Sequence, residues 1–146
     1  MGTSIFNDTD ETHVKALRML ERDLIAWIVT LAADGSPRAV PVWFFWHDGV
    51  LTILSEPDSH KVENIRRGSP VLVHLDAGGQ FGDDVVVLRG DAHLAPGTGV
   101  EWLGRFREPY LGKYAEAIAD YGMPADAIAE RFSTRIDFTP THLLAW

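Results

Sequence analysis

The 146-residue sequence contains no cysteine, which excludes disulfides, thiolate nucleophiles, iron–sulfur clusters and Cys-type zinc sites. The same absence fits a reducing compartment, and a cytoplasmic location is the expectation. Basic residues are scarce: 13 Lys and Arg stand against 21 Asp and Glu, a formal charge of −8. No diffuse positive field exists to gather phosphate backbone or anionic lipid, so neither nucleic acid nor a membrane surface is an expected partner. Long apolar runs are missing as well. The longest, Ala39 to Trp46, is interrupted by Pro41 and falls far short of the about 20 residues that a helical membrane span needs. Met1 to Glu11 carries Asp8, Asp10 and Glu11 in place of the basic and apolar regions of a secretory signal. The six His show no His-x-x-x-His or His-Glu-x-x-His spacing, so no metal site is expected. A nucleophile elbow, a Walker loop and a Gly-x-Gly-x-x-Gly turn after a strand are also lacking, which removes the hydrolase, kinase and Rossmann readings.

What is present reads as one domain spanning 1–146, because two cores would each fall near the size at which burial becomes marginal. Thr12 to Arg22 has helical spacing of Val14, Leu17 and Leu20, with Thr9, Asp10 and Thr12 as candidate caps. Leu24 to Leu31, Arg38 to His47 and Val50 to Ser55 read as a three-strand meander. Its two turns, Asp34-Gly35 and Asp48-Gly49, tolerate the positive φ of a tight hairpin. A helix follows from Pro57 to Arg67, closed by Gly68. Val71 to Asp76 and Asp84 to Leu94 are further strands, joined by the glycine-rich stretch Ala77 to Asp83. A helix-rich segment at about 99–131 contains Val100 to Arg107, Lys113 to Tyr121 and Ala125 to Arg131. Thr134 to Phe138 and His142 to Trp146 close the chain as strand. The sum is a mainly β protein with inserted helices: six to seven antiparallel strands, which escape the edge problem by curling into a barrel.

Two segments carry the candidate chemistry. In Arg38 to Trp46 a period-two pattern sends Val40, Val42, Phe44 and Trp46 to one side and Ala39, Pro41, Trp43 and Phe45 to the other, so both sides require cover. Pro41 cannot donate to a ladder, and a local gap or bulge there would leave backbone groups free to meet a ligand or second subunit. In Ser55 to Arg67, a helix starting near Ser59 offers free N–H groups, the Ser55 and Ser59 hydroxyls and the Lys61 ammonium to an anion. Glu56, Asp58 and Glu63 oppose such a site. A core strand with an edge proline, followed by a solvated surface helix, is the plainer reading of these segments.

Their order is more specific than either alone. An apolar strand, an Asp-Gly-Ser-Pro-Arg turn, a Val-Pro-Val-Trp-Phe strand, Ser-x5-Lys-x2-Asn-Ile-Arg-Arg and Pro-Val-Leu-Val-His-Leu succeed one another between Leu24 and Leu94. The chain thereby resembles the pyridoxamine 5′-phosphate oxidase-like superfamily of flavin and deazaflavin oxidoreductases, which have a split β-barrel fold, and within it the small actinobacterial F420-dependent branch. The resemblance implies that Val40, Pro41, Val42, Trp43 and Phe44 lie along a tricyclic ring. It implies too that Ser55, Ser59, His60, Lys61 and Asn64 surround a phosphate, and that Gln80 and Trp102 approach the cofactor. It implies a homodimer whose two cofactor sites lie at the interface, where the second subunit covers Trp43 and Phe45. The expected activity is hydride transfer from reduced coenzyme F420 to a small electron-poor substrate. The cofactor carries this chemistry, so no catalytic side chain is required. FMN-dependent oxidation or reduction on the same fold is the alternative, as is a non-catalytic binder of flavin, haem or a tetrapyrrole.

Overall fold

In the computed structural model, which describes residues 4–146, the sequence forms seven strands and four helices. They run α1 (Glu11–Arg22), β1 (Ala26–Leu31), β2 (Pro37–Val42), β3 (Phe45–His47), β4 (Val50–Ser55), α2 (His60–Arg66), β5 (Val71–Leu75), β6 (Val86–Ala95), α3 (Gly99–Tyr121), α4 (Ala125–Arg131) and β7 (Thr134–Ala145). All strand pairs are antiparallel, and the sheet order is β2-β1-β5-β6-β7-β4-β3. No helix among the described residues is long and apolar enough to cross a membrane.

The expected continuous strand from Arg38 to His47 is two strands, and they lie at opposite edges of the sheet. Only Trp43 and Phe44 join β2 to β3. Three residue steps reach at most about 10 Å, so the sheet must curl until its two edges nearly meet. This short connection makes the sheet a barrel with a split. The expected meander is likewise corrected to two hairpins, β1–β2 and β3–β4, one at each edge. Asp48-Gly49 is the tight turn its chemistry predicts, with φ 48° and 77°, whereas Asp34-Gly35 lies in the longer loop 32–36 and only Gly35 has positive φ, 83°.

Pro41 does not interrupt its ladder. The β1–β2 register runs unbroken from Ala26 opposite Val42 to Leu31 opposite Pro37, with Pro41 opposite Trp27. An edge strand has a partner on one side only, so a missing donor on the open side removes no ladder bond. The proline that does accompany an irregularity is Pro140. There β6 and β7 change register between Arg89 and Gly90, and an extra residue, Thr141, separates the partners Pro140 and His142. Gly90 is required at that point because a Cβ would collide with the Thr139 carbonyl.

Two hydrophobic clusters fill the molecule. The larger lies inside the curled sheet and unites Ile28, Phe44, Leu51, Ile53, Val73, Leu88, Ile136 and Phe138 with Met19 and Leu20 of α1 and Val62 and Ile65 of α2. Asp10 caps α1 by accepting hydrogen bonds from the Thr12 and His13 amides. The smaller cluster is helical and aromatic: Trp102, Leu103, Tyr110 and Tyr114 of α3 with Ala129 of α4. The helices expected at Val100–Arg107 and Lys113–Tyr121 are the two stretches of α3, which meet at a kink at Phe106 (φ −113°, ψ 22°), three residues before Pro109. A proline inside a helix removes one backbone donor and clashes with the preceding turn, which accounts for the bend.

Candidate functional site

Where the barrel splits, β2, β4, α2, α3 and α4 enclose a cleft of about 330 Å³, within the range of small-molecule sites. Pro41, Val42 and Trp43 form one wall and Lys61 stands at its α2 side. Leu54 of β4, Tyr110 and Tyr121 of α3, and Ile128 and Phe132 at α4 complete it. The walls are therefore mainly apolar and aromatic, and Lys61 is the sole formally charged residue among these.

The split is held by α3. The Tyr114 hydroxyl accepts from the Phe44 N–H at 2.8 Å and donates to the Leu24 carbonyl at 2.6 Å, with the Phe44 carbonyl a second acceptor at 3.0 Å. The Lys113 ammonium donates to the same Phe44 carbonyl at 2.8 Å and lies 3.7 Å from the centre of the Phe44 ring. Backbone groups that leave the ladder at the β2–β3 break thus find their partners on a helix about 70 residues away. Burial pulls the Lys113 ammonium down to about 8, against a weaker opposing pull from Asp23. The Trp43 ring stacks on Tyr114 at 4.9 Å and 12°, which fixes the indole as the floor of the cleft. Phe45 is covered by Trp102, Phe106 and Tyr110. The chain's own α3 thus packs against Trp43 and Phe45, and both rings remain half-buried.

At the other side of the cleft, Ser59 caps α2, its Oγ accepting from the Val62 N–H at 3.3 Å. The Ser55 and Ser59 hydroxyls are 2.9 Å apart, and Ser55 also donates to the Glu56 carbonyl. Asn64 is buried, donating to the Thr30 hydroxyl at 3.0 Å and accepting from Arg67. Lys61 is half-buried, and among the described residues its ammonium has no hydrogen bond and no ion pair. Burial lowers its proton affinity below that of an ordinary lysine, and the nearby Glu56 carboxylate opposes that shift. An unpaired cation beside an apolar wall favours an anion brought in by a ligand.

Of the residues singled out in the sequence, Pro41, Val42, Trp43 and Lys61 come together at the cleft. Ser55 and Ser59 sit at the head of α2, next to Lys61 in sequence but outside the cleft lining, and His60 is exposed on the first turn. Val40 is 40% exposed on the sheet edge, while Phe44 points into the barrel core. Gln80 is exposed on the loop between β5 and β6 and lines no part of the cleft. Trp102 is packed in the helical cluster and borders a second, smaller hollow of about 210 Å³ with Phe45, Phe106 and Arg105. Ile25, Leu54, Tyr110, Tyr121, Ile128 and Phe132 were not anticipated from sequence. A visible signal existed for the helical part: Trp102, Phe106, Tyr110 and Tyr114 recur every fourth residue, an aromatic stripe that needs something to cover. Among the described residues no group of three or more His, Cys, Asp or Glu is placed to hold a metal ion.

A curled antiparallel sheet split beside an apolar cleft, with one unpaired ammonium at its rim, defines a split barrel. The sequence profile of the family described as pyridoxamine 5′-phosphate oxidase matches residues 12–140, and the chain belongs to that family. Among solved structures, one described as an F420 reductase is 23% identical with a TM-score of 0.64, covering 87% of this chain and 94% of that one. A conserved hypothetical protein from Mycobacterium tuberculosis is 19% identical with a TM-score of 0.66, covering 100% and 89%. An FAD-binding protein from Mesorhizobium loti is 20% identical with a TM-score of 0.62, covering 89% and 88%. At these identities the likeness is one of fold. No curated protein matches the chain.

Proposed function

We propose that the protein is an oxidoreductase that binds reduced coenzyme F420 in the cleft and passes a hydride to an electron-poor double bond of a small apolar substrate. The observation that carries this reading is the pairing of the flat Pro41–Val42–Trp43 wall with the unpaired Lys61 ammonium. When bound, the deazaflavin supplies the hydride chemistry, so the chain has only to bind, orient and exclude water. Lys61 and the head of α2 hold the phosphate, with the Ser59 and Ser55 hydroxyls nearby. Trp43, fixed by its stack on Tyr114, supports the ring, and Tyr121, Ile128 and Phe132 close the substrate side against water. Solved structures of this fold include one described as an F420 reductase and one described as an FAD-binding protein, so titration decides between the deazaflavin and FMN.

A homodimer belongs to the same reading. Strand β2 is an open edge whose backbone has no partner on one side, and it carries the exposed Val40. Such an edge invites pairing or cover by a second copy. The test is titration of the purified protein with F420 and with FMN, followed by ligand fluorescence, with sedimentation for the oligomeric state. Saturable binding of F420 in preference to FMN is expected. Preference for FMN would move the protein to the flavin reading, and binding of neither would remove the oxidoreductase reading.

A further inference from the structure

The smaller hollow adjoins the cleft through the contact of Phe45 with Tyr110, yet the two linings share no residue. Strand register builds its floor. Phe45 pairs with Thr52, His47 with Val50 and Thr52 with Asp137, so β3, β4 and β7 turn these side chains to one face of the sheet. Helix α3 lies over that face, with Phe106 5.6 Å from the Phe45 ring and 5.0 Å from the His47 ring, and Trp102 5.7 Å from Phe45. The result is an aromatic hollow between sheet and helix.

Its polar groups form a chain with one free end. Buried Thr52 donates to Asp137 Oδ1 at 2.9 Å, and Arg135 Nε donates to Asp137 Oδ2 at 2.9 Å. Both oxygens of the acid are thereby engaged, whereas among the described residues the two terminal nitrogens of Arg135 donate to nothing. The Arg135 side chain is 24% exposed, so a guanidinium oriented by Asp137 is also largely withdrawn from water. Arg105 adds a second guanidinium from the helix wall, 5.4 Å from the centre of the Phe106 ring and without an ion pair among the described residues. The other acid of the hollow, Asp48, is 88% exposed and pairs with His47 at 3.1 Å.

We propose that this hollow is a second binding site, for a carboxylate carried on a single aromatic ring. Arg135 meets the carboxylate with its terminal nitrogens, a planar fork that matches two oxygens better than a point charge does. The ring lies against Phe106 and Phe45, and Arg105 lends charge at the rim. Volume sets the size: about 210 Å³ falls below the roughly 300–1,000 Å³ of drug-sized pockets and admits one ring, not a tricyclic one. A neutral ring would leave the Arg135 nitrogens without an acceptor, which selects for the acid. The site stands whether or not the cleft holds a deazaflavin.

The test follows para-fluorobenzoate by fluorine NMR on the full chain without cofactor, with para-fluorobenzyl alcohol as its neutral counterpart. Saturable binding of the acid is expected, about tenfold or more tighter than that of the alcohol. Arg135→Gln should weaken it about 10–100-fold, and Arg135→Lys, which keeps a cation beside Asp137, about tenfold. Exposed Arg105 contributes less, so Arg105→Gln should cost about two- to fivefold, and Lys61→Ala in the cleft should change nothing. Nuclear Overhauser contacts from the bound ring to Phe106 and Trp102 locate the probe even where an Arg135 variant fails to fold. No saturable binding, equal affinity for acid and alcohol, wild-type affinity in folded Arg135→Gln and Arg135→Lys, or contacts to Trp43 and Phe132 instead each overturn the proposal.

Discussion

Replacing Tyr114 with Phe removes one oxygen atom from the joint that holds the barrel split. The Tyr114 ring stays, and with it the stack on Trp43. What is lost is the acceptor of the Phe44 N–H and the donor to the Leu24 carbonyl. Phe44 is fully buried, so its amide would be left unpaired away from water, at a cost of about 1–3 kcal/mol. The Leu24 carbonyl belongs to a residue that is 45% exposed and can turn to solvent, so its bond adds only the net value of about 0.5–1.5 kcal/mol. The sum is a destabilisation of roughly 2–4 kcal/mol, which for a domain of this size lowers Tm by roughly 6–15 °C. Urea unfolding followed by far-ultraviolet circular dichroism measures it, with the midpoint falling and the slope m unchanged. A loss below about 1 kcal/mol at constant m would refute the reasoning, because Phe44 would then have another partner and Tyr114 would not anchor the split.

Lys61→Ala should weaken F420 binding by about 1–3 kcal/mol, the value of one charge-assisted hydrogen bond, with little change in Tm; unchanged affinity in a fluorescence titration would place the phosphate elsewhere. Lys113 releases its proton at about 8 in the folded protein and at its ordinary value of 10.5 when unfolded. Between those values the unfolded chain binds more protons, so stability rises with pH across that window, and Lys113→Met should abolish the rise. A difference in unfolding free energy between wild type and this variant that stays flat from pH 8 to 10 contradicts the assignment. Gly90→Ala should force the β6–β7 bulge apart at a cost of about 1–3 kcal/mol, seen as a lower urea midpoint; a wild-type midpoint would mean that the ladder slides to make room.

The hairpins were legible from two Asp-Gly pairs: Asp48-Gly49 takes positive φ at both positions, a local demand met by few residues, and Asp34-Gly35 takes it at Gly35 within the loop between β1 and β2. The head of α2 was equally legible from Ser59. The break at Trp43–Phe44 was not, because Ala39 to Trp46 is apolar throughout and no residue at the break marks an end. What ends the strand is Tyr114 and Lys113, which offer better partners to the Phe44 backbone than an edge ladder does. The cleft divides the same way. Its β2 and α2 walls came from ordered local motifs, whereas Tyr110, Tyr121 and Phe132 entered through packing of α3 and α4, which no short motif encodes. The placement of Pro41 depended on sheet order, a global property that decides whether a missing donor matters.

The barrel interior and the aromatic helical cluster share no buried residue; they meet through the Phe44 hydrogen bonds to α3 and through Trp43, Phe45 and Leu54, which pack against the helical cluster. Parts of a protein with separate buried clusters tend to come apart as separate cooperative units. The α3–α4 pair can then swing off the sheet edge while the strands keep their order. Such breathing would uncover one flank of whatever occupies the cleft, so the strength of the Tyr114 and Lys113 bonds to Phe44, together with the aromatic packing around them, sets how quickly an occupant escapes.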